Sequence, residues 1–260
     1  MTTSGLSIFS LDAPTPAANS PQVFPKGAVN AASYQTPVAQ NGLVSIFGRN
    51  LGDTVGASAL PLPTVLGGVC VTLNNLPLPL FLSSPGQINA QIPPEMATGA
   101  FPLVVRAIGK NAASASQQLT ISKYAPAVFV DPVSNQAALL HADGRFVTKD
   151  HPAHRDEPLM LFASGLGLTT GGKVTGGNGA PSNPLAVTAK VEVFFGDPTW
   201  SQAGIIVDWS GLAPGFVGLY QLNLRVPGDH IKGESIPITL RIGGVSSPST
   251  GPVLPAVTVE

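Results

Sequence analysis

Apolar and polar residues alternate in short runs along most of the chain. In QINAQIP, Ile88, Ala90 and Ile92 alternate with Gln87, Asn89 and Gln91, and in QLNLRVP, Leu222, Leu224 and Val226 alternate with Gln221, Asn223 and Arg225. A period of two puts each set of side chains on its own face of a strand. Each run therefore predicts a half-buried strand with a polar outer face, ended by a proline that cannot continue the ladder. The runs GGVCVTLNN, FPLVVRAI, SQQLTIS, AKVEVFFGD, AGIIVDWS and IPITLRIGG are similarly short, rich in β-branched residues and bounded by Gly, Pro, Asn or Asp. They predict further strands. No window holds a sustained 3.6-residue period with caps, so no helix is predicted. In HADGRF, the Asp143–Gly144 pair predicts a type I′ hairpin turn.

The pattern is written twice. One offset aligns Gln87 with Gln221, Asn89 with Asn223, Pro93 with Pro227 and Gly99 with Gly233; after one inserted residue, Pro102 matches Pro237 and Gly109 matches Gly244. Upstream, LVSIFGRNLG resembles PLMLFASGLG, with Phe47 on Phe162, Leu51 on Leu166 and Gly52 on Gly167. Two matches in the same order read as tandem units joined near SKYAPAVFVDP, residues 122–132. Short strands with turn residues between them, about 100 residues per unit, fit immunoglobulin-like modules. The expected architecture is all-β: two tandem immunoglobulin-like β-sandwich domains, residues 23–124 and 125–260, after an extended N-terminal strand and linker over residues 1–22. GLSIFSLDA in that first piece offers Leu6, Ile8, Phe9 and Leu11 as apolar anchors. Three destinations compete for it: an upstream domain, an edge of the first unit, or a neighbouring molecule that accepts it as a donated strand.

Composition narrows the function. Charged residues make up 10% of 260, against roughly a quarter in a typical soluble domain. Gly (29) and Pro (26) are abundant, which suits many turns and few helices. A net charge of -1 gives no electrostatic footprint for nucleic acid or an anionic membrane. The single cysteine excludes an intramolecular disulfide and a cysteine-rich zinc site; Cys70, in a strand-like run, is expected to be a small buried apolar residue. No apolar run is long enough for a membrane helix. Residues 1–20 lack a basic start followed by an apolar block, so no signal peptide is predicted.

Candidate chemistry is sparse. KDHPAHRDEP (residues 149–158) gathers Asp150, His151, His154, Asp156 and Glu157, which could ligate a divalent metal, but the repeat places it on the turn before a core strand. GLGLTTGGKV satisfies G-x-x-x-x-G-K, yet Val174 stands where Ser or Thr should reach magnesium and no helix follows; its glycines are expected to serve positive φ angles. No histidine is paired with a nucleophile, and Asp131, Asp143, Asp197, Asp208 and Asp229 are scattered singly in turns rather than grouped for calcium. Trp200, Trp209, Phe216 and Tyr220 could stack on sugars, with Trp200 the best exposed candidate and the others drawn partly to the core. The duplicated amides Gln87, Asn89, Gln221 and Asn223 are expected to be structural, bonding to loop backbone at the same corner of each sandwich.

AVNAASYQ (residues 28–35), SIFGRNLG (45–52), LPLPLFLSSPGQINAQIP (76–93) and GLAPGFVGLYQLNLRVP (211–227) together resemble the Solibacter-type C-terminal domain family, uncharacterised secreted β modules at the ends of large proteins of Acidobacteria and relatives. Each half separately resembles the IPT/TIG immunoglobulin-like domain. The resemblance implies an extracellular or cell-surface β-sandwich with a structural or adhesive role, and it brings no catalytic residues with it. This chain departs from the family in two turns: Asn41–Gly42 replaces the usual Pro-Gly, and Asp156–Glu157 the usual Gly-Asp. The expectation is therefore a non-catalytic module without cofactor or metal, whose partners are other protein copies or cell-surface glycans. The alternatives are a self-assembling fibre subunit joined by donation of the N-terminal strand, and a carbohydrate-binding accessory module of a secreted enzyme.

Overall fold

The computed structural model describes residues 19–131, 133–199, 204–226 and 231–260. Among them every regular element is a strand. The first domain is a sandwich of two sheets. One sheet runs in the order Gln22–Asn30, Leu43–Arg49, Gln87–Gln91, Leu80–Ser83, Val55–Gly56; the other runs Val38–Ala39, Gln117–Ser122, Gly99–Ala107, Val69–Leu73, Leu76–Pro77. In the second domain a single connected path runs Ala127–Val128, Pro158–Ser164, Tyr220–Arg225, Gly204–Leu212, Val191–Phe195, Gly233–Ile242, Val245–Ser246. The long strand Gly204–Leu212 joins its two layers, pairing with Val191–Phe195 near its start and with Tyr220–Arg225 beyond. These are two tandem immunoglobulin-like β-sandwiches.

Alternation is what builds the cores. Val69–Leu73 and Tyr220–Arg225 alternate buried with half-buried positions along their whole length. Val71, Leu73, Ile88 and Leu103 pack into one cluster, and Leu161, Leu222, Leu240 and Phe195 into another. Each such side chain contributes about 1.5–3 kcal/mol by leaving water. Cys70 is half-buried, not buried. It lies between Val69 and Val71 on the same strand, so the period of two turns it to the opposite face.

The repeat extends to the ladders. Ser45 pairs with Asn89 and Phe47 with Gln87; at the matching positions Met160 pairs with Asn223 and Phe162 with Gln221. Gly99 and Gly233 share an unusual backbone, φ 142° and 145°, that favours glycine. Asn41 and Asp156, also matched, are both left-handed, at 58° and 56°.

The type I′ expectation at Asp143–Gly144 is corrected. Only Gly144 has positive φ (83°), and the turn closes by Gly144 N–H donating to the His141 carbonyl. Asp143 keeps a negative φ, and its carboxylate accepts from the Arg145 N–H and Nε. Two-residue turns with positive φ at both positions occur at Asn74–Asn75 and Gly243–Gly244.

Candidate functional site

The most heavily built polar constellation lies where the two domains meet. Asn41 occupies the turn that enters Leu43–Arg49, and asparagine tolerates the left-handed conformation required there. Gln91 closes the strand Gln87–Gln91. Tyr220 opens the strand Tyr220–Arg225 of the second domain. The Gly177 N–H donates to Gln91 Oε1 at 2.7 Å, Gln91 Nε2 donates to Asn41 Oδ1 at 2.9 Å, and Asn41 Nδ2 donates to the Tyr220 hydroxyl at 3.2 Å. The Tyr220 hydroxyl in turn donates to the Gly167 carbonyl. All four bonds run in one direction, so each polarises the next.

Further bonds flank this relay. Leu43 N–H donates to Ser164 Oγ (3.2 Å), Asn30 Nδ2 to the Ala125 carbonyl (2.9 Å) and Leu62 N–H to the Gly177 carbonyl (2.7 Å). At the rim, Gln35 Nε2 donates to the Thr250 carbonyl at 2.5 Å. Gln91, Ser164 and Tyr220 are 0% exposed, and Asn30 and Asn41 are 1%. Burial pushes the Tyr220 hydroxyl far above the ordinary tyrosine value, with the bond from Asn41 pulling weakly the other way. The backbones approach closely: a Cβ on Gly218 would meet Leu43 Cδ2 at 2.8 Å and the Asn41 carbonyl oxygen at 3.1 Å.

This joint corrects one expectation and adds to another. Gln91 was expected on the polar, solvent-facing side of its strand, but that side faces the second domain. Its matched position in the repeat is Arg225, half-buried, with its guanidinium bonded to the solvent-facing Asp208 at 2.9 and 2.7 Å. The Asn41–Gly42 departure, read from sequence as a loop detail, supplies the central amide of the relay. The phosphate-loop look-alike belongs here too: Gly165, Gly167 and Gly171 take positive φ, and Gly167 accepts from Tyr220.

The duplicated amides lie on the outer sheet faces. Gln87 Nε2 donates to Asn89 Oδ1 and Gln221 Nε2 to Asn223 Oδ1, both at 2.8 Å. Their partner is thus the amide two residues on, not loop backbone, because alternate residues on a strand share a face within a glutamine's reach. Aromatic rings sit beside both pairs. Phe47 opposes Gln87, with the Tyr34 ring 6.0 Å away; Phe162 opposes Gln221, and Trp209 opposes Asn223. Trp209 is half-buried, Phe216 is exposed and Tyr220 is buried at the joint.

The polar loop of residues 149–158 is tied down rather than gathered around an ion. His141 Nδ1 bonds to Glu157 Oε1 at 2.5 Å, Glu157 Oε2 accepts from the His154 N–H, and Lys149 pairs with Glu234. Among the described residues no group of three or more His, Cys, Asp or Glu converges as a metal site would need. Asp131, Asp143 and Asp197 accept backbone N–H bonds in their turns, which hold their carboxyls below the ordinary carboxylate value. Leu6, Ile8, Phe9, Leu11, Trp200 and Asp229 lie outside the described residues. No described helix is long and apolar enough to cross a membrane.

No family model and no curated protein matches the chain. Among solved structures it is similar to the Plexin A4 full extracellular region, domains 1 to 10, at 9% identity over 92% of this chain and 16% of that one, with a TM-score of 0.27. It is also similar to the tandem Ig repeats of Dlar, at 13% identity over 94% of this chain and 99% of that one, TM-score 0.23. An endo-fucoidan hydrolase of glycoside hydrolase family 107 follows at 12% identity over 88% of this chain and 30% of that one, TM-score 0.19. The chain spans 16% and 18% of the plexin chains it matches. The sandwich architecture itself rests on the strand pairing described above.

Proposed function

We propose that this chain is a non-catalytic, extracellular structural and adhesive module in which two immunoglobulin-like domains are fused into one stiff unit. The buried relay Gly177–Gln91–Asn41–Tyr220–Gly167 carries this reading. Domains linked in one chain ordinarily move against each other unless their interface is extensive. Here any hinge opening would strip partners from several buried amide and hydroxyl groups at once, at about 1–3 kcal/mol each. A stiff tandem sets the distance and direction between whatever lies at its two ends, which is the work of a spacer or a surface adhesin. The low charge and turn-rich composition support it, as does the resemblance of residues 28–35, 45–52, 76–93 and 211–227 to the Solibacter-type family.

Backbone 15N relaxation tests the stiffness: both domains are expected to report one rotational correlation time, and two distinct times would refute the reading. Antibody labelling of intact source cells tests the location. Labelling is expected without permeabilisation, and labelling only after permeabilisation would contradict it.

A further inference from the structure

The sheet of the second domain opens beside its outer aromatic face. Val193 and Phe194 pair with Ile205 and Gly204, and Val187 pairs with Gly211, but between these points residues 189–192 and 206–209 form no ladder with each other. Strand Gly204–Leu212 also bulges between Val207 and Trp209. Bulges interrupt a ladder and re-aim side chains. The opening is a cleft of about 480 Å³ whose lining includes Lys190, Glu192, Asp208, Trp209 and Ser210.

Trp209 is set in a fixed pose. A Cβ on Gly211 would lie 2.5 Å from its Cζ2 and 2.8 Å from its Cη2, so the indole lies over the bare glycine backbone. It sits opposite Asn223, whose Oδ1 already holds Gln221 Nε2 at 2.8 Å. A flat ring therefore stands beside two pre-ordered amides with free hydrogen-bonding capacity, at the lip of a polar cleft. The charges there balance in sign: the lining carries one lysine, Lys190, and the carboxylates of Glu192 and Asp208, of which Asp208 is already matched by Arg225 at 2.7 Å. A polyanion or polycation gains nothing from such a surface.

We propose that this face binds a neutral polysaccharide chain. The apolar C–H face of one pyranose stacks on Trp209, and its hydroxyls bond to the Gln221–Asn223 amides and to the Glu192 carboxylate in the cleft. Sugars suit this arrangement because they present one apolar face and a rim of donors and acceptors. No covalent step is involved. The stiff-spacer reading stands without this site, so the two fail separately.

The test is isothermal titration of the full chain with cellohexaose, xylohexaose and mannohexaose to millimolar concentration, with dextran sulfate and chitosan as charged controls. At least one neutral hexasaccharide is expected to bind, and Trp209→Ala is expected to weaken it roughly tenfold or more, the scale of losing one aromatic anchor. Binding by none of the three, tighter binding of either charged polymer, or undiminished binding by a folded Trp209→Ala chain overturns the proposal. Should Trp209→Ala fail to fold, Glu192→Ala decides: this exposed side chain is expected to leave the melting temperature unchanged and to weaken binding, and undiminished binding there overturns the site.

Discussion

Replacing Gln91 with alanine probes the joint most sharply. The side chain is 0% exposed and bridges the domains, accepting from Gly177 N–H and donating to Asn41 Oδ1. Truncation leaves both of those groups buried without a partner. At about 1–3 kcal/mol for each orphaned group, the cost is roughly 2–5 kcal/mol once some relaxation is allowed. That is a large part of the 5–15 kcal/mol that holds a typical domain folded. The remaining interdomain bonds, at about 1 kcal/mol net apiece, still sum to several kcal/mol, enough to make both domains of the parent unfold together. Urea unfolding read by far-ultraviolet circular dichroism and by calorimetry is the assay. The parent is expected to show one transition; Gln91→Ala is expected to lower its midpoint or divide it in two. Arg225→Ala, at the matched position of the repeat, is the internal control and should cost much less, because its ion pair with Asp208 is exposed to solvent. A Gln91→Ala loss below about 0.5 kcal/mol, or one no larger than that of Arg225→Ala, would refute the reasoning that these orphaned groups are costly.

Other consequences can be measured alongside. Burial raises the Tyr220 hydroxyl above its unfolded value, so the stability it contributes is fully present below about pH 10 and falls as pH rises further. Melting temperatures between pH 8 and 11 should therefore drop more steeply for the parent than for Tyr220→Phe, and parallel curves would contradict the assignment. Glu157→Ala leaves the ring of His141, itself 7% exposed, without its carboxylate partner. The expected loss is about 1–2 kcal/mol by urea unfolding, and no measurable loss would show that the clamp is idle. Gly218→Val drives a branched side chain against Leu43 Cδ2 and the Asn41 carbonyl. It is expected to separate the domains in small-angle scattering while circular dichroism stays all-β; an unchanged scattering profile would mean that the joint yields easily.

Much of this fold can be read from period-two alternation and from the duplicated marks. The two offsets carry Phe47–Gln87 onto Phe162–Gln221 as ladder pairs, and the pairing rests on residues that identity alone brings into line. The joint could not be read this way. Alternation shows which residues share a face but not what covers it, so Gln91 and Arg225 look alike in sequence although one is sealed and the other solvated. The relay also joins positions far apart in the chain: Gln91 to Gly177, and Asn41 to Tyr220. One signal was present, the break in the repeat itself. Gln91 matches an arginine and Asn41 an aspartate, and a position where two copies of one fold diverge is a position where their surroundings differ.

The central claim is that the two domains form one stiff body, and an interdomain distance distribution tests it directly. Spin labels at Ile108→Cys and Val245→Cys, both on exposed side chains and in a Cys70→Ser background, report across the joint by pulsed electron resonance. One narrow distance is predicted for this labelled parent, broadening when Gln91→Ala and Tyr220→Phe are added. A distribution already broad in the parent, and unchanged by those substitutions, would contradict the account.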